Sequence, residues 1–198
     1  MVNDPNQTIN IGEKKPKILE KLIRAKRKRE KAVLVELPKK DSRPFIIGHR
    51  SLQTTQIPAR DGKAHGAIKR SNRHPNCTFF TNWINLEDKL TWEVEVAEKG
   101  NFEVIIYYSC KKDAIGSEFE ISIGSDKVLG KIKEEHDPEE YGYEDDRSKR
   151  TESYVKDFKP LSLGIINLKK GPGTLSLKAI KKNGESLMDF RLMLLKRI

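Results

Sequence analysis

The stretch Leu90 to Cys110, LTWEVEVAEKGNFEVIIYYSC, constrains the fold of this chain more than any other. Leu90, Trp92, Val94 and Val96 alternate with Thr91, Glu93 and Glu95, and a period of two puts every bulky apolar group on one face of a strand. That face has to be buried. After Ala97-Glu98-Lys99-Gly100, where glycine can take the positive φ of a short loop, Phe102, Val104, Ile106 and Tyr108 resume the alternation. The pattern predicts a hairpin with one face on a core. Ile105 and Tyr107 break the polar side of the second strand, which predicts a central position or a contact surface for it.

Further strand signals frame this one. They begin near Thr78 and recur at Glu118 to Ile123, Lys127 to Ile132, Ser153 to Phe158, Leu161 to Leu168, Leu175 to Ala179 and Leu187 to Leu195. The turns between them are dense in Gly, Asn and Lys, as in KKGPG and KKNGES. Between them the polar segment Lys133 to Glu152, with HDPEEYGYEDDRSKR, cannot form core. Seven or eight strands with tight turns and one large loop predict a mainly β protein, an antiparallel sandwich of jelly-roll type. No helix-strand alternation argues for a parallel sheet.

Ahead of the strands, Pro16 to Val33 reads as a helix: Pro16 suits the first turn, and Ile18, Leu19, Leu22, Ile23 and Ala25 recur at helical spacing. Lys39 to Pro58 has no sustained period, and Ala59 to Cys77 is loop-like. The expected organisation is therefore 1–40 as a basic helical segment, 41–77 as a long linker and wrapping loop, and 78–198 as the β-sandwich. The formal charge of +10 is unevenly placed, since Lys14 to Lys31 holds ten Lys or Arg against Glu20 and Glu30. The β region is close to neutral. A nucleic-acid partner would rest on that charge run alone, with no interleaved aromatic residue and no recognition motif, so the sequence speaks against it.

No stretch approaches the ~20 apolar residues that span a bilayer, so no membrane partner is expected. The N-terminus MVNDPNQTIN is polar and does not read as a signal peptide, which leaves localisation open. Cys77 and Cys110 form neither a CxxC pair nor a zinc pattern; two free thiols are expected, with a bond between them as the alternative. No GxSxG elbow, phosphate-binding loop or GxGxxG fingerprint is present. His49, His65, His74 and His136 make no HxH or HxxxH pair, and the acidic cluster from Asp137 to Asp146 lacks calcium-loop spacing. No metal or cofactor is expected in this chain.

A saccharide site fits the residue types better. Flat aromatic faces cover the apolar side of a pyranose, and charged or amide groups bond its hydroxyls. Trp83, Tyr107, Tyr108, Tyr141, Tyr143 and Tyr154 supply the first kind; Asn82, His136, Asp137 and Arg147 supply the second. Lys69 and Arg70, with Arg60, Arg73 and Arg147, would meet a sulfate. For Trp83, Tyr107 and Tyr108 core packing is the alternative, for His136, Asp137 and Arg147 it is loop bracing, and Trp92 belongs to the core.

The runs IPARDGKAHGAIKRSNRHPNCTFFTNW and LTWEVEVAEKGNFEVIIYYSC, followed by HDP, DR and ESYVKDFKPLSLG, resemble the C-terminal accessory region of bacterial arylsulfatase A-like enzymes. The resemblance runs from about Arg43 to the end. Asp4 to Ile11 resembles the DPxExxNL segment near the end of the sulfatase catalytic domain, with Gln7 in place of the usual Glu; the helix would then be that domain's last. This implies a carbohydrate-binding-like sandwich packed on a sulfuric ester hydrolase, exported or periplasmic when the enzyme is intact.

Such enzymes use calcium and a formylglycine made in a [CS]-x-P-x-R motif. Cys77 is followed by Thr-Phe-Phe and Cys110 by Lys-Lys-Asp, while Ser42-Arg43-Pro44-Phe45-Ile46 lacks the arginine, so no catalytic residue carries over. The expectation is a non-catalytic accessory domain that binds neutral or sulfated glycans or positions substrate, with a sulfatase catalytic domain as partner. The alternatives are a purely structural domain covering that catalytic domain, and a basic nucleic-acid-binding module.

Overall fold

A computed structural model describes all residues except 1–3, 7, 38–40, 145, 149–150 and 153, together with the side chain of Val155. Gln7, Lys39 and Ser153, named above, therefore lie outside the described residues. The chain divides into two compact units, Met1–Ser42 and Arg43–Ile198. In the first, α1 spans Pro16–Leu34 with Pro16 in its first turn, and none of its residues is buried. No described helix is long and apolar enough to cross a membrane.

The second unit is a sandwich of two sheets. Its strands are β1 (Phe45–Ile47), β2 (Thr54–Pro58), β3 (Lys63–His65), β4 (Lys69–Arg70), β5 (Phe80–Thr81), β6 (Lys89–Val96) and β7 (Gly100–Ser109). They continue with β8 (Glu118–Ile123), β9 (Asp126–Lys131), β10 (Glu140–Tyr141), β11 (Val155–Lys156), β12 (Lys159–Leu168), β13 (Gly171–Lys181) and β14 (Asp189–Arg197). One sheet runs β1-β6-β13-β8-β9, with β3 on the same edge of β6 as β1. The other runs β12-β7-β14-β5-β4, with β2 beside β5 on the edge of β14. Pairing is antiparallel except between β1 and β6. The small ladder β10-β11 stands apart from both sheets.

Two expectations are corrected here. The two strands of Leu90 to Cys110 do not form a hairpin: β6 bonds to β13 in one sheet and β7 to β12 and β14 in the other. Their alternation is as read, with Leu90, Trp92, Val94 and Val96 buried on β6 and Phe102, Val104, Ile106 and Tyr108 buried on β7. The two apolar faces meet across the core instead of lying side by side. Gly100 is also not at positive φ. A Cβ there would strike the guanidinium of Arg197, which donates to Lys99 O at 3.1 Å and Glu98 O at 3.1 Å, so the glycine makes room for that clamp.

The stretch 41–77 is also more than a linker. Four of its segments, β1 to β4, add to sheet edges, and Ile47, Ile57, Ala59 and Ile68 are in the core. Edge strands of two to five residues hold too few side chains for a period to show.

Trp92, 2% exposed, packs edge-on against Phe190 of the opposite sheet at 5.7 Å and donates Nε1–H to Pro58 O at 3.2 Å. Ile105 and Tyr107 stand on the outer face of the central strand β7, half-buried. The ladder sets Pro160, Tyr107, Leu192 and Pro58 in one row across that face.

Tyr108, on the inner face, gives a pH test. Burial first, then the neighbouring Cys110 and Glu134, push its phenol up to about 12. The folded state thus holds this proton more tightly than the unfolded chain does. Its contribution to stability is intact below the usual phenol value near 10 and is lost as pH rises from there towards 12. Alkaline titration followed by phenolate absorbance should show one tyrosine ionising only as the fold opens. Tyr108→Phe should remove that event.

Candidate functional site

A cavity of about 520 Å³ opens where several loops and strand ends converge. Its lining comes from β4 (Lys69), β5 and the residues after it (Thr81, Asn82, Ile84), the end of β7 (Ser109, Cys110), and the start of β14 with the segment before it (Glu185, Ser186, Met188, Asp189). Asp137 from the polar segment and Lys156 from β11 close it.

The centre of the arrangement is Lys156. Its side chain is 10% exposed, and its ammonium lies 3.0 Å from Asp189 Oδ2 and 3.5 Å from Asp137 Oδ1. Asp189 also accepts from Ser109 Oγ at 3.4 Å, the residue opposite it in the β7–β14 ladder. The ammonium sits 5.9 Å from the centre of the Phe79 ring. A cation held between two carboxylates and an aromatic face keeps a low-entropy geometry. Asn82, at φ 60°, donates its amide to Ala67 O at 2.6 Å. The Cys110 thiol is pushed up by burial, which outweighs the backbone bond from His136 that acts the other way. It lines the wall as a neutral group.

The site residues expected from the sequence separate into distinct places. Lys69, Asn82 and Asp137 line the cavity. His136 does not, but it positions Asp137: it exchanges backbone bonds with Cys110 at 2.7 and 3.1 Å, and its Nε2 lies 2.9 Å from Asp157 O. Loop bracing is its role.

Trp83 is a correction, because at 1% exposure its ring is core and cannot meet a ligand; its neighbours Asn82 and Ile84 face the cavity instead. Tyr107 is on the outer sheet face, away from the lining. Arg70 turns to the 3-10 turn Ala59–Asp61, donating to Arg60 O and to Gly62 O at 2.9 Å, and stacks 5.4 Å over Phe80. Tyr154 stacks on Tyr143 at 3.8 Å, and Arg147 is exposed on the same loop; none of these lines the cavity.

The residues missed from the sequence are Lys156, Asp189 and Glu185. One of them left a signal: Asp189 interrupts the apolar run from Leu187 to Leu195, and a carboxylate inside such a run needs a partner. Chemically, the cavity offers fixed carboxylate, ammonium, amide and hydroxyl groups beside the apolar surface of Ile84 and Met188. That set suits a polyhydroxylated ligand. Among the described residues no group of three or more His, Cys, Asp or Glu could hold a metal ion.

No protein-family model and no curated protein matches the chain. Solved structures do. The mosquito-larvicidal Cry4Aa toxin of Bacillus thuringiensis matches with TM-score 0.51 and 16% identity over 73% of this chain and 23% of the toxin. The GH26-CBM35 β-(1,4)-mannanase of Podospora anserina matches with TM-score 0.47 and 13% identity over 74% of this chain and 28% of that one. The C-terminal CBM6 of LamC, a laminarinase of Zobellia galactanivorans, matches with TM-score 0.49 and 11% identity over 73% of this chain and 99% of that one. The chain thus spans less than a third of the mannanase and of the toxin. At such identities only the fold is shared, and the toxin carries that statement: this is a β-sandwich of a kind found in solved proteins.

Proposed function

We propose that residues 43–198 form a saccharide-binding, substrate-positioning module whose site is the polar cavity. The observation that carries this is Lys156, fixed between Asp137 and Asp189. Such fixed donors and acceptors can bond neighbouring hydroxyls without being ordered by the ligand, and pre-organisation of this kind raises affinity. Lys69 on the wall adds a cation for a sulfate or carboxylate substituent. The sequence resemblance to the accessory region of arylsulfatase A-like enzymes supports a sulfuric ester hydrolase as the catalytic partner, to which the module presents glycan.

The test is a glycan array followed by calorimetry on the full chain, with neutral, acidic and sulfated saccharides. A Kd of about 0.1–1 mM, or about −5 kcal/mol, is expected for a short saccharide. No heat with any of them at concentrations of roughly 10 mM would overturn the reading.

A second reading, a structural domain covering its catalytic neighbour, is favoured by α1. Ile18 (56% exposed), Leu19 (42%), Leu22 (61%) and Ile23 (38%) form an uncovered apolar arc on it. In this reading the isolated chain self-associates through that arc, and sedimentation showing a monomer with an ordered helix counts against it.

A further inference from the structure

The other side of α1 carries a second pattern. Lys17, Lys21, Arg24, Lys28 and Lys31 follow one another at spacings of four and three residues, which at about 100° per residue places all five in one straight row. The row spans fifteen residues, about 21 Å of helix from first to last. All five are exposed. Arg24 pairs with Glu20 at 2.8 Å; the other four have no carboxylate partner among the described residues. The helix's remaining acid, Glu30, is engaged by Lys26 at 3.2 Å, off the row.

This row lies about 180° round the helix from the arc of Ile18, Leu19, Leu22 and Ile23. Whatever covers the apolar arc leaves the cations facing outward. A bilayer is a poor fit for the same reason: seating the apolar arc in lipid turns the row away from the headgroups. Lys26 and Arg29 moreover fall on the apolar side. A nucleic acid is also a poor fit, since the segment from Lys14 to Leu37 has no aromatic residue to stack on bases and α1 has no Asn, Gln, Ser or Thr to read their edges.

We infer that the row on α1 is a binding site for a linear sulfated polysaccharide, whose sulfates meet the five cations in turn. The choice of polymer rests on the saccharide reading of the cavity.

Full-length protein is tested against dextran sulfate, unsulfated dextran, duplex DNA and phosphatidylglycerol vesicles at one ionic strength. Dextran sulfate is expected to bind most tightly, with affinity falling steeply as salt rises. The variant K17Q/K21Q/R24Q/K28Q/K31Q should lose more than tenfold, while K17R/K21R/K28R/K31R should bind like the parent. Glutamine and arginine are both good helix formers, and circular dichroism reports whether the helix persists. Calorimetry with a short neutral saccharide should give the parent's heat in the glutamine variant, so a failure of the cavity reading shows separately. Unchanged dextran sulfate binding by the glutamine variant overturns the inference. Tighter binding of DNA or vesicles than of dextran sulfate overturns it too.

Discussion

Lys156→Met is expected to abolish saccharide binding in the cavity and to destabilise the fold by about 2–3 kcal/mol. Methionine preserves the length and packing of the lysine stem over Phe79, so little is lost to shape. What is lost is the ammonium that holds Asp189 at 3.0 Å and Asp137 at 3.5 Å. The two carboxylates then face each other across a recess with nothing between them. Fully buried pairs lose about 3–5 kcal/mol when one partner is removed. The lower figure applies here because Asp189 and Asp137 keep 22% and 43% of their side-chain surface, so solvent screens the stranded charge.

Asp189→Asn keeps the outline and removes one charge. It should leave the urea midpoint nearly unmoved and weaken saccharide about tenfold, or 1.4 kcal/mol. Calorimetric titration and urea unfolding separate the two effects. Wild-type saccharide affinity in Lys156→Met would refute the assignment of the site.

The alternation of β6 and β7 was legible because a period of two is a local property, and the core it predicts is the core observed. Which strand each one bonds to was not legible. Facing apolar strands in separate sheets and adjacent strands in one sheet write the same alternation, and the hydrogen-bond partners lie as far off as Leu175 and Phe190. Strands β1 to β4 escaped for lack of length.

The cavity was half legible for a related reason. Asp137 and Lys69 stood out in segments rich in charge, but the site closes only when Lys69, Asn82, Ser109, Asp137, Lys156 and Asp189 converge from across the second unit. No spacing in the sequence records that convergence. Trp83 misled because its flanking residues are loop-like, while its ring belongs to the core. Nothing in the local sequence tells an indole that turns inward from one that turns out.

Gly66→Ala is expected to be the most disruptive single-methyl change in the sandwich, at roughly 2–5 kcal/mol. Gly66 has φ +80°, and an L side chain there costs about 1–2 kcal/mol of backbone strain. The added Cβ would also collide with the carboxylate of Asp88. That carboxylate has no room to retreat: Asp88 is 2% exposed and accepts from Ala67 N at 3.1 Å, from Asn85 N at 3.2 Å and from the Asn85 amide at 3.3 Å. Pushing it off these donors leaves buried polar groups unpaired, a further ~1–3 kcal/mol.

The damage should reach the cavity as well, because Ala67 O holds the amide of Asn82 at 2.6 Å. Removing the obstacle tests the cause. Asp88→Ala alone loses the same bonds, but Gly66→Ala added to it meets no carboxylate and should cost only the backbone strain. Urea midpoints at constant m for the two single variants and the double are therefore expected to be non-additive by about 1–3 kcal/mol. Strict additivity would mean that Gly66 is there for its φ alone and that Asp88 does not set the space around it.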